Sequence, residues 1–171
     1  QLTDEQVERV ARKCADYFTG NWPKRWFGPL ERLMAKSGAG SYLDGSACHL
    51  DLVQWATRPK QSKVPRTQWH RLVDEDSGFL RWQLATCTIQ TLLVNGKGVI
   101  DQLKTFGLVD SWEEEQIPFQ GKTKPRTLRV FTGTVDGTPA LGWNLPVAQG
   151  ISADGRTKLS DWVRDHLPAD D

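Results

Sequence analysis

CHLDLVQWAT, residues 48–57, and TLLVNGKGVI, residues 91–100, are two short apolar runs that each pass through polar residues into a helix-like stretch. Buried strands of a parallel sheet read as near-continuous apolar runs, and in open α/β sheets ligands sit beyond the carboxyl ends of such strands. The two runs therefore predict neighbouring parallel strands. They direct attention to Asp51, Gln54, Trp55, Thr57 and Asn95 at or near the strand ends.

Residues 58–66 hold two prolines and four cations and give way to helical patterns, one over 67–73 and one through Phe79, Leu80 and Leu84. After the second run, Val99, Ile100, Leu103 and Phe106 recur at helical spacing. Strand, crossover helices, strand and helix is the signature of a parallel βαβ unit. Beyond Gly107 the texture becomes alternating: SWEEEQIPF and TLRVFTGTV flank a turn region at Gly121-Lys122, which predicts an antiparallel or edge addition to the sheet. The second of these segments continues through Asp136-Gly137 into LGWNLPVAQGIS, where Ser152 can cap a last helix carrying Leu159, Trp162, Val163 and His166 on one side.

At the other end, Thr3 and Gln6 form a capping box that opens a helix from residue 4 to about 18. Gly20 and Asn21 break it. Pro23 can open a second helix with an apolar face of Trp26, Phe27, Leu30, Leu33 and Met34, although Gly28-Pro29 would disturb it unless it starts nearer Phe27. Residues 37–46 read as a glycine-rich connection. The whole predicts a single α/β domain over 1–171, a three-layer α/β/α arrangement with a mostly parallel central sheet.

Charge is balanced: 22 Lys and Arg against 21 Asp and Glu leave a net +1, so polyanion binding must come from a local patch and not from a global field. No apolar stretch approaches the ~18 residues of a membrane span, and the opening residues show no signal-peptide pattern. A soluble, cytoplasmic protein is expected. Cys14, Cys48 and Cys87 are too few and too widely spaced for a disulfide framework and are expected to be small buried thiols. With only His49, His70 and His166 besides, neither a metal nor a cofactor is expected. Most of the eight tryptophans should pack in the core or at its rim, and a few could stack against a base.

Two constellations carry potential chemistry. Asp51 stands among apolar residues in LDLVQWATRP, either satisfied inside the sheet or at its ligand-facing edge, because an unpaired buried charge is costly. In GWNLPVAQGIS, Trp143, Asn144 and Gln149 lie on a loop before a helix N-terminus, which presents free N–H groups to an anion. The alternative is an ordinary capped loop with Trp143 packed as a lid.

LDLVQWATRP resembles the strand-end segment of the uracil/thymine-DNA glycosylase superfamily that supplies a base-contacting amide. LLVNGKGVIDQL resembles the next strand and helix of that superfamily, and RVFTGTVDGTPALGWNLPVAQGIS its final strand and active-site loop. The succession covers about residues 45–167. The chain departs from the superfamily in three places. No segment before the first helix could hold the strand and loop that carry a catalytic Asp or Asn; Asn144-Leu145-Pro146 stands where a His-Pro-Ser motif is usual; and Asp51 replaces an Asn.

The resemblance implies a monomeric protein that binds a damaged or deaminated base in DNA and, in its enzymatic form, excises it. Asp51 and Asn144 would be catalytic, and Gln54, Trp55, Trp143 and Gln149 would hold the base. Arg58, Lys60, Lys63, Ser152 and Arg156 would meet phosphates. A rival reading is a catalytically silent module of the same fold for protein interaction or regulation. A third is a small-molecule enzyme that holds a phosphate at Asn95-Gly96-Lys97-Gly98, a turn that lacks the glycine spacing of the known phosphate loops.

Overall fold

The computed structural model describes residues 3–20, 22–53 and 63–168. Helix α1 (Asp4–Ala15) opens on the expected capping box, with Thr3 N–H donating to Gln6 Oε1 at 2.9 Å and Gln6 N–H to Thr3 Oγ1 at 3.3 Å. Helix α2 (Lys24–Ser37) does not wait for Phe27: Trp26 and Phe27 already donate to Pro23 O, and Pro29 lies inside the helix. One missing backbone bond is tolerated because Leu30, Leu33 and Met34 bury the helix face, at about 1.5–3 kcal/mol for each large side chain.

Residues 48–53 form no strand, which corrects the first expectation drawn from CHLDLVQWAT; residues 54–57 of that run lie outside the described residues. The cause is visible in the side chains. His49 and Asp51, two residues apart, are exposed and bonded to each other at 3.2 Å, and the half-buried Leu50 and Leu52 pack against the core from an irregular backbone. Helix α3 (Arg66–Thr86) unites the two helical patterns in one element. Strand β1 (Leu92–Asn95) and helix α4 (Lys97–Thr105) follow as expected.

Strands β2 (Val109–Gln120), β3 (Pro125–Val135) and β4 (Thr138–Trp143) complete a four-stranded sheet of order β1-β4-β3-β2, and α5 (Ala153–His166) closes the chain. Only β1 and β4 run parallel, whereas β2–β3 and β3–β4 are antiparallel. A mostly parallel sheet is therefore not what forms. The alternating segments taken for an edge addition are the long strands, and the parallel partner expected from residues 48–57 is absent from the described part of that run. Asp136 and Gly137 both have positive φ (49° and 78°), the backbone of a two-residue hairpin whose twist matches its strands. Where β2 shifts register beside Val109 and Ser111, a Cβ on Gly133 would lie 1.9 Å from the Ser111 carbonyl oxygen, so only glycine fits.

Strand alternation divides the interior into two cores, with helices on both faces. On one face Leu128, Val130, Leu141 and Trp143 pack against α2 and α5; on the other Val94, Phe131 and Ala140 pack against Leu80 and Leu84 of α3 and Ile100 and Leu103 of α4. Helix α5 is capped as expected, Ser152 Oγ accepting from Gly155 N–H at 3.2 Å. Among the described residues no helix is long and apolar enough to cross a membrane.

Candidate functional site

Among the described residues strand β1 is the end strand of the sheet, and a cleft of about 1090 Å³ runs along it. One bank is α2 with the loop after it. Glu31 fixes that loop: its buried carboxylate accepts from Ser41 Oγ at 2.6 Å and Tyr42 N–H at 2.8 Å, and Ala47 N–H closes the turn onto Ser41 O. Trp26, Phe27, Tyr42 and His49 give this bank an aromatic wall. The ring of Tyr42 is stacked on Phe18 at 4.1 Å, and Phe27 meets both Tyr42 and His49 edge-on. The other bank is the segment from Cys87 to Leu93, polar at Thr88, Gln90 and Thr91, with Asn95 at its end.

Leu50 and Leu92–Leu93 thus face one hollow, as neighbours across a cleft and not as paired strands. Among the described lining residues there is no Lys or Arg. The wall suits a neutral, planar, partly apolar group better than a phosphate.

Burial pushes the Tyr42 phenol up to about 12, with Cys48 and Glu31 adding their charges in the same direction. The Asp51 carboxylate is held below its ordinary range, chiefly by its hydrogen bond to His49, against a smaller opposing effect of burial. His49 lines the cleft and Asp51 stands just outside it, so the pair places a titratable imidazole at the mouth with a carboxylate behind it. Such a couple can carry a proton and balance a developing charge. Thr91 Oγ1 is buried and has no hydrogen-bond partner among the described residues.

The remaining residues singled out from sequence fall elsewhere. Trp143 is wholly buried in the core, and its indole N–H donates to Asn95 Oδ1 at 2.9 Å. Asn95 Oδ1 also accepts from Val147 N–H at 3.1 Å, so this residue ties β1 to the loop after β4. Asn144 is on the opposite face, where it borders a small cavity of about 150 Å³ with Lys97, Asp101, Lys104, Glu114 and Arg129. Its side-chain oxygen accepts from Arg129 N–H at 3.0 Å, and its carbonyl accepts from Lys97 N–H. Asp51 and Asn144 therefore do not share a hollow.

Gln149 is exposed on the loop before α5. Ser152 Oγ donates to Gln120 O at 2.5 Å while it caps α5, Asp154 in the first turn accepts from Gln120 N–H, and Arg156 donates to Ile151 O at 2.9 Å. Ser152 Oγ thus takes one N–H of the helix N-terminus that sequence offered to a phosphate, and Asp154 sets a negative charge in its first turn. Lys63 is exposed just before α3. Gln54, Trp55, Thr57, Arg58 and Lys60 lie outside the described residues.

Sequence reading missed the aromatic bank and His49. The signal available was the i, i+2 spacing of His49 and Asp51 and the cluster Trp22, Trp26, Phe27, which reads as core when the loop after α2 is not placed. Cys48 and Cys87 are exposed and free, not the buried thiols expected. Among the described residues no group of three His, Cys, Asp or Glu could hold a metal ion. No protein-family model, curated protein or solved structure matches the chain.

Proposed function

We propose that this protein binds an extruded, damaged or deaminated nucleobase of DNA in the cleft beside β1. The observation that carries the reading is the cleft's wall: three aromatic rings and an imidazole on one side, a polar strand edge on the other, and no cation among the described lining. Bases stack on aromatic faces, each stack contributing about 1–3 kcal/mol, and their polar edges seek hydrogen-bonding groups such as those of the segment from Thr88 to Thr91. Trp26 is 57 % exposed, so its ring is open to stacking without disturbing the core.

Excision would use the His49–Asp51 pair. Cleaving an N-glycosidic bond leaves positive charge on the sugar and negative charge on the departing base. As the bond between sugar and base breaks, His49 would give a proton to the base; a water would add to the sugar cation and return its proton to His49, while the Asp51 carboxylate holds the imidazole. Phosphates on either side of the base would be met by Arg58, Lys60 and Lys63, and the protein would act as a monomer with DNA as its partner. Binding then weakens as salt rises, since each phosphate contact releases counterions.

The test is retardation of duplexes containing uracil, hypoxanthine or a mismatch against an undamaged duplex, followed by alkaline cleavage at abasic sites. Tighter binding of one altered duplex and strand cleavage that His49→Ala abolishes are expected. Equal binding of all duplexes would remove the reading. A silent binding module of the same fold is favoured by one observation, the placement of Asn144 at a separate small cavity and not in the cleft, which takes its leaving-base contact away. Selective binding without abasic sites is its outcome.

A further inference from the structure

Cys48 lies in the loop after α2 and Cys87 caps the C-terminus of α3, so the two come from different elements of the fold. Both are exposed and free, and both line the cleft. Burial at the wall, and to a smaller degree the charge of the Cys87 sulfur, push the Cys48 thiol up. Neither is needed for stacking or for the His49–Asp51 couple. Two exposed, free thiols on facing banks of one cleft are both open to an oxidant that enters it.

We propose that Cys48 and Cys87 form a reversible disulfide across the cleft, made by a hydroperoxide or by exchange with a small disulfide. With hydrogen peroxide, the Cys87 thiolate attacks one peroxide oxygen. An S–O bond forms as the O–O bond breaks, and the departing hydroxide takes up a proton and leaves as water. The Cys48 sulfur then loses its proton and attacks the sulfenic sulfur; an S–S bond forms, the S–O bond breaks, and a second water leaves. Two thiols have given up two electrons, and the peroxide has received them. A dithiol reverses the step by exchange. The bridge would tie the aromatic bank to the end of α3 and obstruct the cleft whatever its ligand is.

The experiment treats the full chain with hydrogen peroxide, and in parallel with oxidised glutathione, then alkylates remaining thiols after denaturation and maps peptides by mass spectrometry. Of the three cysteines, two should become unreactive and appear in one cross-linked peptide joining Cys48 to Cys87 within a monomer, with full recovery after dithiothreitol. Cys48→Ser and Cys87→Ser, each checked for folding by circular dichroism, should leave the surviving thiol as a sulfenic acid or a glutathione adduct with no cross-link. Continued alkylation of both thiols, pairing of either with Cys14 or with another chain, or oxidation to sulfinic acid without a cross-link would overturn the proposal. Each readout is independent of DNA binding.

Discussion

The side-chain oxygen of Asn95, the last residue of β1, accepts the indole N–H of Trp143, the last residue of β4, at 2.9 Å. These residues are also register partners in the parallel pair, and the same oxygen takes the Val147 N–H. One carboxamide therefore fixes the carboxyl end of the parallel pair, one wall of the cleft and the first turn of the loop before α5. Gly96, next in the chain, has φ 109°, and a Cβ there would lie 3.3 Å from the Pro146 ring, so a side chain would be strained in backbone and crowded against that loop.

Asn95→Ala leaves two donors without an acceptor in a poorly hydrated place. It should lower stability by about 2–4 kcal/mol, counting 1–3 kcal/mol for each unsatisfied buried group and some recovery by water. Urea unfolding measures it. A loss under 0.5 kcal/mol would show that the tie is dispensable.

Trp143→Phe should lower stability by about 1–3 kcal/mol through lost volume and the unpaired Asn95 oxygen, with DNA affinity unchanged in the fraction that remains folded. Affinity that collapses while stability holds would put the indole in the binding site, against its complete burial.

Ser152→Ala removes the α5 cap and the tether to Gln120. A cost near ~1 kcal/mol is expected. Retardation of DNA and its salt dependence should not move, since the Ser152 hydroxyl is committed to Gln120 O and Gly155 N–H and the first turn carries the negative charge of Asp154; a weaker, less salt-sensitive complex would restore Ser152 as a phosphate contact.

The Tyr42 phenol should titrate near about 12, seen as the late ultraviolet step of the chain's two tyrosines and absent in Tyr42→Phe. Because burial raises the folded value, its stabilising contribution is full below the ordinary tyrosine pKa of about 10 and is lost as pH rises through about 12. Asp51 has the opposite sign: its folded value is lowered, so its contribution is present above the ordinary carboxylate range and disappears as pH falls through the depressed value. In carbon-13 titrations, His49→Ala should return the Asp51 midpoint upward.

The pieces legible in the sequence are those decided locally. The Thr3–Gln6 box, the strand-to-helix passage at Leu92–Lys97 and the Ser152 cap depend on neighbours a few residues away. The sheet's direction was not legible, because β3 reads as an alternating edge until both faces are filled; Leu128 and Val130 meet α5 on one side while Phe131 meets α4 on the other. Residues 48–53 misled for a related reason: an apolar run predicts burial but not pairing, and here His49 and Asp51 satisfy each other outside any ladder. The site was half legible. Asp51 was singled out, but its partner His49 and the opposing strand edge depend on how Glu31 folds the loop after α2.

The affinity of Trp26→Ala for an altered-base duplex, measured by fluorescence anisotropy beside the undamaged duplex, bears most directly on the cleft as a nucleobase site. Trp26 is exposed, so the variant should keep its fold and lose about 5- to 100-fold for the altered duplex, the equivalent of one stacking contact of about 1–3 kcal/mol. Binding of the undamaged duplex should change little. An unchanged affinity for the altered duplex, with the wild type still discriminating, would place recognition elsewhere on the molecule and contradict the account.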